Sequence, residues 1–351
     1  MHKHALPAYL ASGSGRQRQQ AIWTRWGATL MLGLLLALVP LLAQGLDQPF
    51  LIRVFTRIVV FAIAAVSLNI LLGYAGLVSV MHAGLLGIGG YVVGILAAHD
   101  GTLLIDGPIA IHGTANLAIS VPLAVVASAL AAALFGAISL RTSGAYFIMI
   151  TLAFNQMLYY FFISLENYGG DEGLQINTPL HFAGADIGGR TGIYYLCLGV
   201  LMAVLIAGVR LVESRFGVVI RAANGNERRV ASVGIAPMRY RLAAIVITGA
   251  VAGLAGALLA VSQQFISPAD MAWSRSGELI IMVVLGGMTY VWGPAIGAAA
   301  FLLLELGLSG LTIHWQLPFG IFIILLIMFL RGGLTDLVGV ARKIFGGRFH
   351  E

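Results

Sequence analysis

The sequence predicts an all-α fold, a polytopic transmembrane helical bundle of about ten spans, some of them broken or re-entrant. Three observations predict it. The 351 residues are 59% hydrophobic and only 10% charged, with mean hydropathy +0.94, whereas soluble domains carry roughly 25% charged residues. Long stretches hold no Asp, Glu, Lys or Arg: Gly27 to Gly45, Ile58 to Ala98, Ala115 to Leu140, Leu242 to Pro268 and Leu279 to Leu304. Each approaches or exceeds the ~20 apolar residues that cross a bilayer. These runs are continuous, whereas barrel strands alternate polar and apolar residues in segments of about 10.

Taken in order, the predicted spans cover residues 27–45, 52–72, 76–98, 116–139, 145–164, 192–211, 242–263, 278–292, 294–310 and 317–330. Residues 1–26 read as a basic N-terminal tail, 27–331 as the membrane domain with a polar loop at 213–241, and 332–351 as a C-terminal tail. The basic stretch before the first span is long and many spans follow, so an uncleaved first span is expected rather than a signal peptide. With the N-terminus inside, sixteen of the twenty Lys and Arg residues fall on inner segments. Only Arg53, Arg57, Arg190 and Arg275 lie outside or at the outer interface. Positive charge near span ends sets orientation, so both termini are expected in the cytoplasm. The pI of 9.7 is then a topology signal, and nucleic acid is not expected as a partner.

Glycine is abundant at 45 residues. In lipid, small residues let helices approach closely, and the pairs Gly90 and Gly94, Gly249 and Gly253, and Gly293 and Gly297 have the spacing for it. The single cysteine, Cys197, rules out an internal disulfide framework. The eight His residues are scattered, so no metal and no cofactor is expected on this chain.

Two spans look interrupted. One is Gly73 to Gly94, with His82 inside it, and the other is Gly286 to Gly297, with Gly287, Gly293 and Pro294. Broken helices in membranes survive where protein buries them or where they line a cavity, and they point to transport paths. Tight helix packing explains the same glycines. Asn69, Ser79, His82, Thr151 and Asn155, with Gly286 and Gly287, are the path candidates. For the polar ones the competing reading is an interhelical hydrogen bond of roughly 1 kcal/mol.

The loop from Glu213 to Ile235 carries most of the inner charge. Asn224 or Asn226 can cap a short helix with Glu227 in its first turn. Gly234 and Pro237 would close it, with Val230, Val233 and Gly234 or Ile235 on one side. Such a helix suits a partner's groove or an anionic lipid surface. The two lysines, Lys3 and Lys343, follow no Gly-rich phosphate loop, so this chain cannot hold ATP in that way.

Several short motifs in order resemble the branched-chain amino acid permease family of ABC importers, specifically its LivM-type subunit. They are Leu68 to Ser79, Arg141 to Phe147 with Thr151 to Phe154, Tyr168 to Leu174, Glu213 to Gly217, Arg221 with Asn226 and Glu227, Ala252 to Gly256, and Ser276 to Gly287 with Gly293 and Pro294. They span roughly residues 55–335. The chain departs from the family pattern at Met81, at Leu85 and over Met288 to Trp292.

The resemblance implies the helical permease fold of ABC importers and alternating access. The partners it implies are two ABC ATPase subunits that hold ATP and Mg, a second homologous permease and a periplasmic binding protein. It also implies that Arg221, Asn226, Glu227, Arg228, Arg229, Gly234 and Ile235 form an ATPase-coupling segment. Asp171, Glu172 and Glu278 are expected at the binding-protein face. The chain itself is expected to be non-catalytic and to reside in a bacterial inner membrane. A urea or amide importer permease differs only in cargo. An ion-coupled carrier would need a mid-span carboxylate, and none is evident.

Overall fold

The computed structural model describes residues 15–45, 48–99, 103–105, 111–176, 181–182, 185–186, 189–310, 314, 316–329 and 332–335. Of the tails expected at 1–26 and 332–351, residues 1–14 and 336–351, with Lys3, Arg342, Lys343 and Arg348, lie outside these, as do Asp100, Asp106 and Arg331.

Twelve α-helices run along the described residues: α1 (Gly15–Gly45), α2 (Pro49–Asn69), α3 (His82–Ala98), α4 (Leu117–Ser139), α5 (Ala145–Ile163), α6 (Gly189–Glu213), α7 (Arg215–Gly225), α8 (Glu227–Ser232), α9 (Pro237–Gln263), α10 (Trp273–Gly286), α11 (Gly293–Ser309) and α12 (Gln316–Phe329). Ten of them correspond to the ten predicted spans, and α7 and α8 to the polar loop. Five stretches are long and apolar enough to cross a membrane: α2 with its continuation to Tyr74, α4, α5, α6 and α9.

Three boundaries differ from the sequence reading, each for a local reason. Residues 15–26 belong to the same helix as the first span, because no Pro or Gly after Gly15 stops the chain before Gly27. The span expected from residue 76 begins only at His82, because α2 ends in a π-helical turn over Ile70–Tyr74 and the next residues are non-helical. The span expected to 292 stops at Gly286, because Gly287 adopts φ +103°, which glycine alone tolerates readily.

Short strands pair at the connections α3–α4, α5–α6 and α9–α10. They are β1 (Leu103–Ile105) with β2 (Ile111–His112), β3 (Leu174–Gln175) with β6 (Phe265–Ile266), and β4 (His181–Phe182) with β5 (Ala185–Asp186), all antiparallel. The β3–β6 pairing places the α5–α6 and α9–α10 connections on one face. The turns α2–α3 and α10–α11 and the pair α7–α8 lie on the other.

Burial sorts centre from periphery. The apolar window of α2 is 83% buried and that of α9 is 72%, against 28% for both α4 and α5. Leu30, Leu34, Leu130, Leu134, Met149 and Ile324 are exposed on the outer helices, as lipid-facing residues are. Of the predicted glycine pairs, Gly249 and Gly253 pack helix on helix, whereas Gly90 and Gly94 meet the side chains of Ile266 and Leu174. Gly89 lies so close to Gly253 that a Cβ would overlap the Gly253 carbonyl, and Gly256 meets the Leu86 carbonyl in the same way. Gly249 and Gly253 also admit Ala132 and Ser128 of α4. Backbone contact of this kind replaces the missing hydrophobic drive between helices in lipid.

Candidate functional site

The break between α2 and α3 is held by side chains from two other helices. A helix start leaves its first amide N–H groups without intrahelical partners. Here the Ala83 N–H donates to Ser276 Oγ at 3.1 Å, and the Gly84 N–H donates to Asn155 Oδ1 at 2.8 Å. Ser276 Oγ in turn donates to the Val80 carbonyl at 2.5 Å, and the Val80 N–H donates to Thr151 Oγ1 at 3.3 Å. Asn155 Nδ2 donates to the Met271 carbonyl at 2.8 Å. Ser79 Oγ accepts the Met81 N–H at 3.4 Å. His82 is buried, and neither ring nitrogen has a hydrogen-bond partner. Thus Ser79, His82, Thr151 and Asn155 do converge, and all four are buried.

Asn69, Gly286 and Gly287 form a separate group at the α10–α11 turn. Asn69 Nδ2 donates to the Tyr290 carbonyl at 3.2 Å, and the Tyr74 hydroxyl donates to the Thr289 carbonyl at 3.1 Å. The two breaks are therefore tied to each other through α2. Gly286 packs against Gly293 and Gly297, so α10 and α11 form a tight hairpin. A small cleft beside it is lined by Tyr74, Val209, Val212, Glu213, Tyr290 and Trp292.

The polar loop folds as two short helices. Ser214 Oγ caps α7 by accepting the Gly217 N–H, and Asn226 Oδ1 caps α8 by accepting the Arg229 N–H at 3.0 Å. Gly234, at φ +85°, closes the segment and Pro237 begins α9. Arg221 donates from Nε to the Gly217 carbonyl and from Nη2 to the Val212 carbonyl, which folds α7 back onto α6. Glu227 pairs with Arg241 at 2.6 Å, and Arg241 Nη2 also reaches the Ala223 carbonyl. These two candidates therefore hold the loop together. Arg228, Arg229 and Gly234 are exposed, and Ile235 is half-buried.

Val230 packs inward, but Val233 does not share its side. Val233 is 74% exposed because α8 ends at Ser232 and the chain turns away there. Val218 and Met238 are exposed on the same loop region. The end of α7 also touches the α2–α3 break, since the α-carbon of Gly76 rests on the Asn224 side chain.

On the opposite face, Asp171 and Glu172 are exposed in the turn after a 3₁₀ segment over Glu166–Tyr168. Glu278 is instead half-buried and bonded to Arg275 Nη1 at 2.6 Å. Arg275 Nη2 reaches Asp270 Oδ1 at 3.5 Å, and Arg57 Nη2 reaches Glu305 Oε1 at 3.4 Å. Both guanidinium groups stand against Phe61, at 5.6 Å for Arg57 and 5.5 Å for Arg275. Asp270 lies in a 3₁₀ turn outside the spans. Burial pushes its carboxyl above the usual range, while Arg275, a backbone hydrogen bond at Ser267 and Arg57 pull it back.

Sequence reasoning does not single out Val218 or Met238, the role of Ser276 at the start of α3, or the pairing of Glu305 with Arg57. Ser214, a capping residue one position before an apolar-periodic stretch, was the available signal for α7. Nothing local signals Ser276, whose partners lie 193 and 196 residues away.

Comparison with known proteins bears on this arrangement. The family described as branched-chain amino acid transport system / permease component matches residues 50–331. The chain is similar to the high-affinity branched-chain amino acid transport system permease protein LivM of Salmonella typhimurium, 25% identical over 342 residues, covering 89% of this chain and 77% of the relative. The LivM protein of Escherichia coli matches with 25% identity and the same coverage. A probable branched-chain amino acid transport permease protein LivH of Methanocaldococcus jannaschii is 31% identical over 115 residues, covering 31% of this chain and 34% of the relative. No solved structure matches the chain significantly.

Proposed function

The chain belongs to the branched-chain amino acid transport system permease family, and from that premise we propose that it is the membrane subunit of an ATP-driven importer of branched-chain amino acids. It resides in a bacterial inner membrane with both termini in the cytoplasm, as the distribution of Lys and Arg supports. It works with two ABC ATPase subunits that hold ATP and Mg, a second homologous permease and a periplasmic binding protein. The chain itself is a non-catalytic transport permease.

One observation carries the mechanism: α7 and α8 present Arg228, Arg229 and Val233 outward while Asn224 touches Gly76 in the α2–α3 break. An ATPase seated on Arg228 to Ile235 would press through α7 on that break. In the break the Ala75 and Leu77 N–H groups bond back to the Ile70 and Leu71 carbonyls, while Val80 and the first turn of α3 are held by Ser276, Thr151 and Asn155. Those side chains can exchange partners as α3, α5 and α10 rock, which is the element alternating access needs. Asp171 and Glu172, exposed on the far face, suit contact with the binding protein.

The test is radiolabelled leucine uptake into proteoliposomes holding the whole complex, with ATP inside and binding protein outside. Uptake that needs ATP and this chain is expected. Uptake by this chain alone on an ion gradient would overturn the proposal, and ATP-driven uptake of urea but not leucine would change the cargo.

A further inference from the structure

We infer that the charged chain Glu305–Arg57–Asp270–Arg275–Glu278 is an entry subsite for the charged groups of an α-amino acid, taken by exchange of ion pairs. The inference rests on the importer reading and names where that reading's substrate is first held by this chain.

These five groups come from α2, α10, α11 and the turn before α10. They alternate in sign, and the Arg57 and Arg275 guanidinium groups both stand against Phe61, which sets the Arg57–Glu305 pair beside the Asp270–Arg275–Glu278 group. Arg57, Asp270 and Arg275 lie toward the outer interface, where an imported substrate arrives. A buried polar atom left unsatisfied is costly. Among the described residues this network leaves two buried atoms without partners, the acceptor Glu305 Oε2 and the donor Arg275 Nε. An amino acid at neutral pH offers the complement: an ammonium with three donors and a carboxylate with acceptors. The ammonium would take Glu305 Oε2, and the carboxylate would take Arg275 Nε.

The subsite also has a mechanical consequence. Ser276 follows Arg275 and holds both Val80 and Ala83 at the α2–α3 break. Exchange at Arg275 would loosen the first turn of α10, and with it the hold on α3. Arrival of substrate on one face would thus reach the break that α7 touches from the other.

The test uses the purified complex in nanodiscs, without binding protein, and the variant Glu305→Gln, which keeps the Oε1 acceptor for Arg57. L-leucine should raise the wild-type melting temperature by about 2–4 °C at saturation. Leucinol, which lacks the carboxylate, and 4-methylpentanoate, which lacks the ammonium, should not. Glu305→Gln should lose the leucine shift with its ligand-free melting temperature unchanged. In ATP-driven uptake it should lose about tenfold in maximal rate at an unchanged half-saturating concentration of binding protein. A leucine shift retained in Glu305→Gln, or absent from wild type, overturns the subsite. A raised half-saturating concentration with an unchanged maximal rate also overturns it, since the cluster would then be a binding-protein contact. Wild-type complex that takes up no leucine with ATP instead sinks the importer reading itself.

Discussion

The α-carbon of Gly76 rests against the side chain of Asn224, so closely that a Cβ on residue 76 would overlap Asn224 Oδ1. Gly76 sits at φ +68°, in the left-handed region. One residue thus satisfies two demands at the point where α7 meets the α2–α3 break.

Replacing it should disconnect the two. Gly76→Val combines a strained backbone, about 1–2 kcal/mol, with a clash at Asn224. ATP hydrolysis by the complex should persist while leucine uptake falls about tenfold or more. Uptake per ATP equal to wild type would show that this contact transmits nothing.

The hold on α3 should be measurable as stability. Asn155→Leu leaves the Gly84 N–H and the Met271 carbonyl unpaired, and Ser276→Ala does the same to the Ala83 N–H and the Val80 carbonyl. Each buried loss should cost about 1–3 kcal/mol, read as a lower melting temperature in detergent. Thermal curves matching wild type for both would remove these bonds from the account of the break.

The α3–α9 crossing should tolerate no side chain. In Gly256→Ala the new Cβ meets the Leu86 backbone carbonyl, which cannot rotate away as a side chain would. A loss of about 1–3 kcal/mol or more is expected, with reduced folded yield by size-exclusion chromatography. Gly199→Ala, with open space around it, is the matched control and should purify like wild type.

The loop residues should divide into two classes. Arg228→Ala and Val233→Asp should weaken co-purification of the ATPase and leave the melting temperature unchanged, because both residues are exposed. Arg221→Gln should lower the melting temperature instead, since it removes two guanidinium bonds to backbone carbonyls. Equal ATPase binding in Arg228→Ala and Val233→Asp would move the docking surface elsewhere.

Asp270 should leave a pH signature. Its folded carboxyl titrates above the ordinary value of 3.8, so the folded state binds that proton first. The resulting stability is full below the ordinary value and is lost as pH rises through the folded one. The melting temperature of wild type relative to Asp270→Asn should therefore be higher in acid than at neutral pH. A difference that does not vary with pH would refute the raised carboxyl.

Local sequence rules set the class of protein, its succession of about ten apolar helices and the two regions where they break, though not the exact ends of α3 and α10. Those follow from local rules, because the bilayer demands continuous apolar runs with internally satisfied backbones and clustered Gly and Pro interrupt them. The Asn226 cap and the Gly234 closure were legible for the same reason, since capping partners lie within a few residues. Which polar group meets which was decided only in three dimensions. Ser276 and Ala83 are 193 residues apart, and Arg57 and Glu305 are 248 apart. Their pairing depends on how helices pack side by side, and hydropathy carries no information on that rotation. Glu278, expected at the binding-protein face, is paired at the start of α10 with Arg275, which the sequence alone does not reveal. Arg221 and Glu227 are docking candidates by sequence, and the structure adds their bonds to the ends of α6 and α9, with Glu227, Arg228, Arg229 and Val233 exposed.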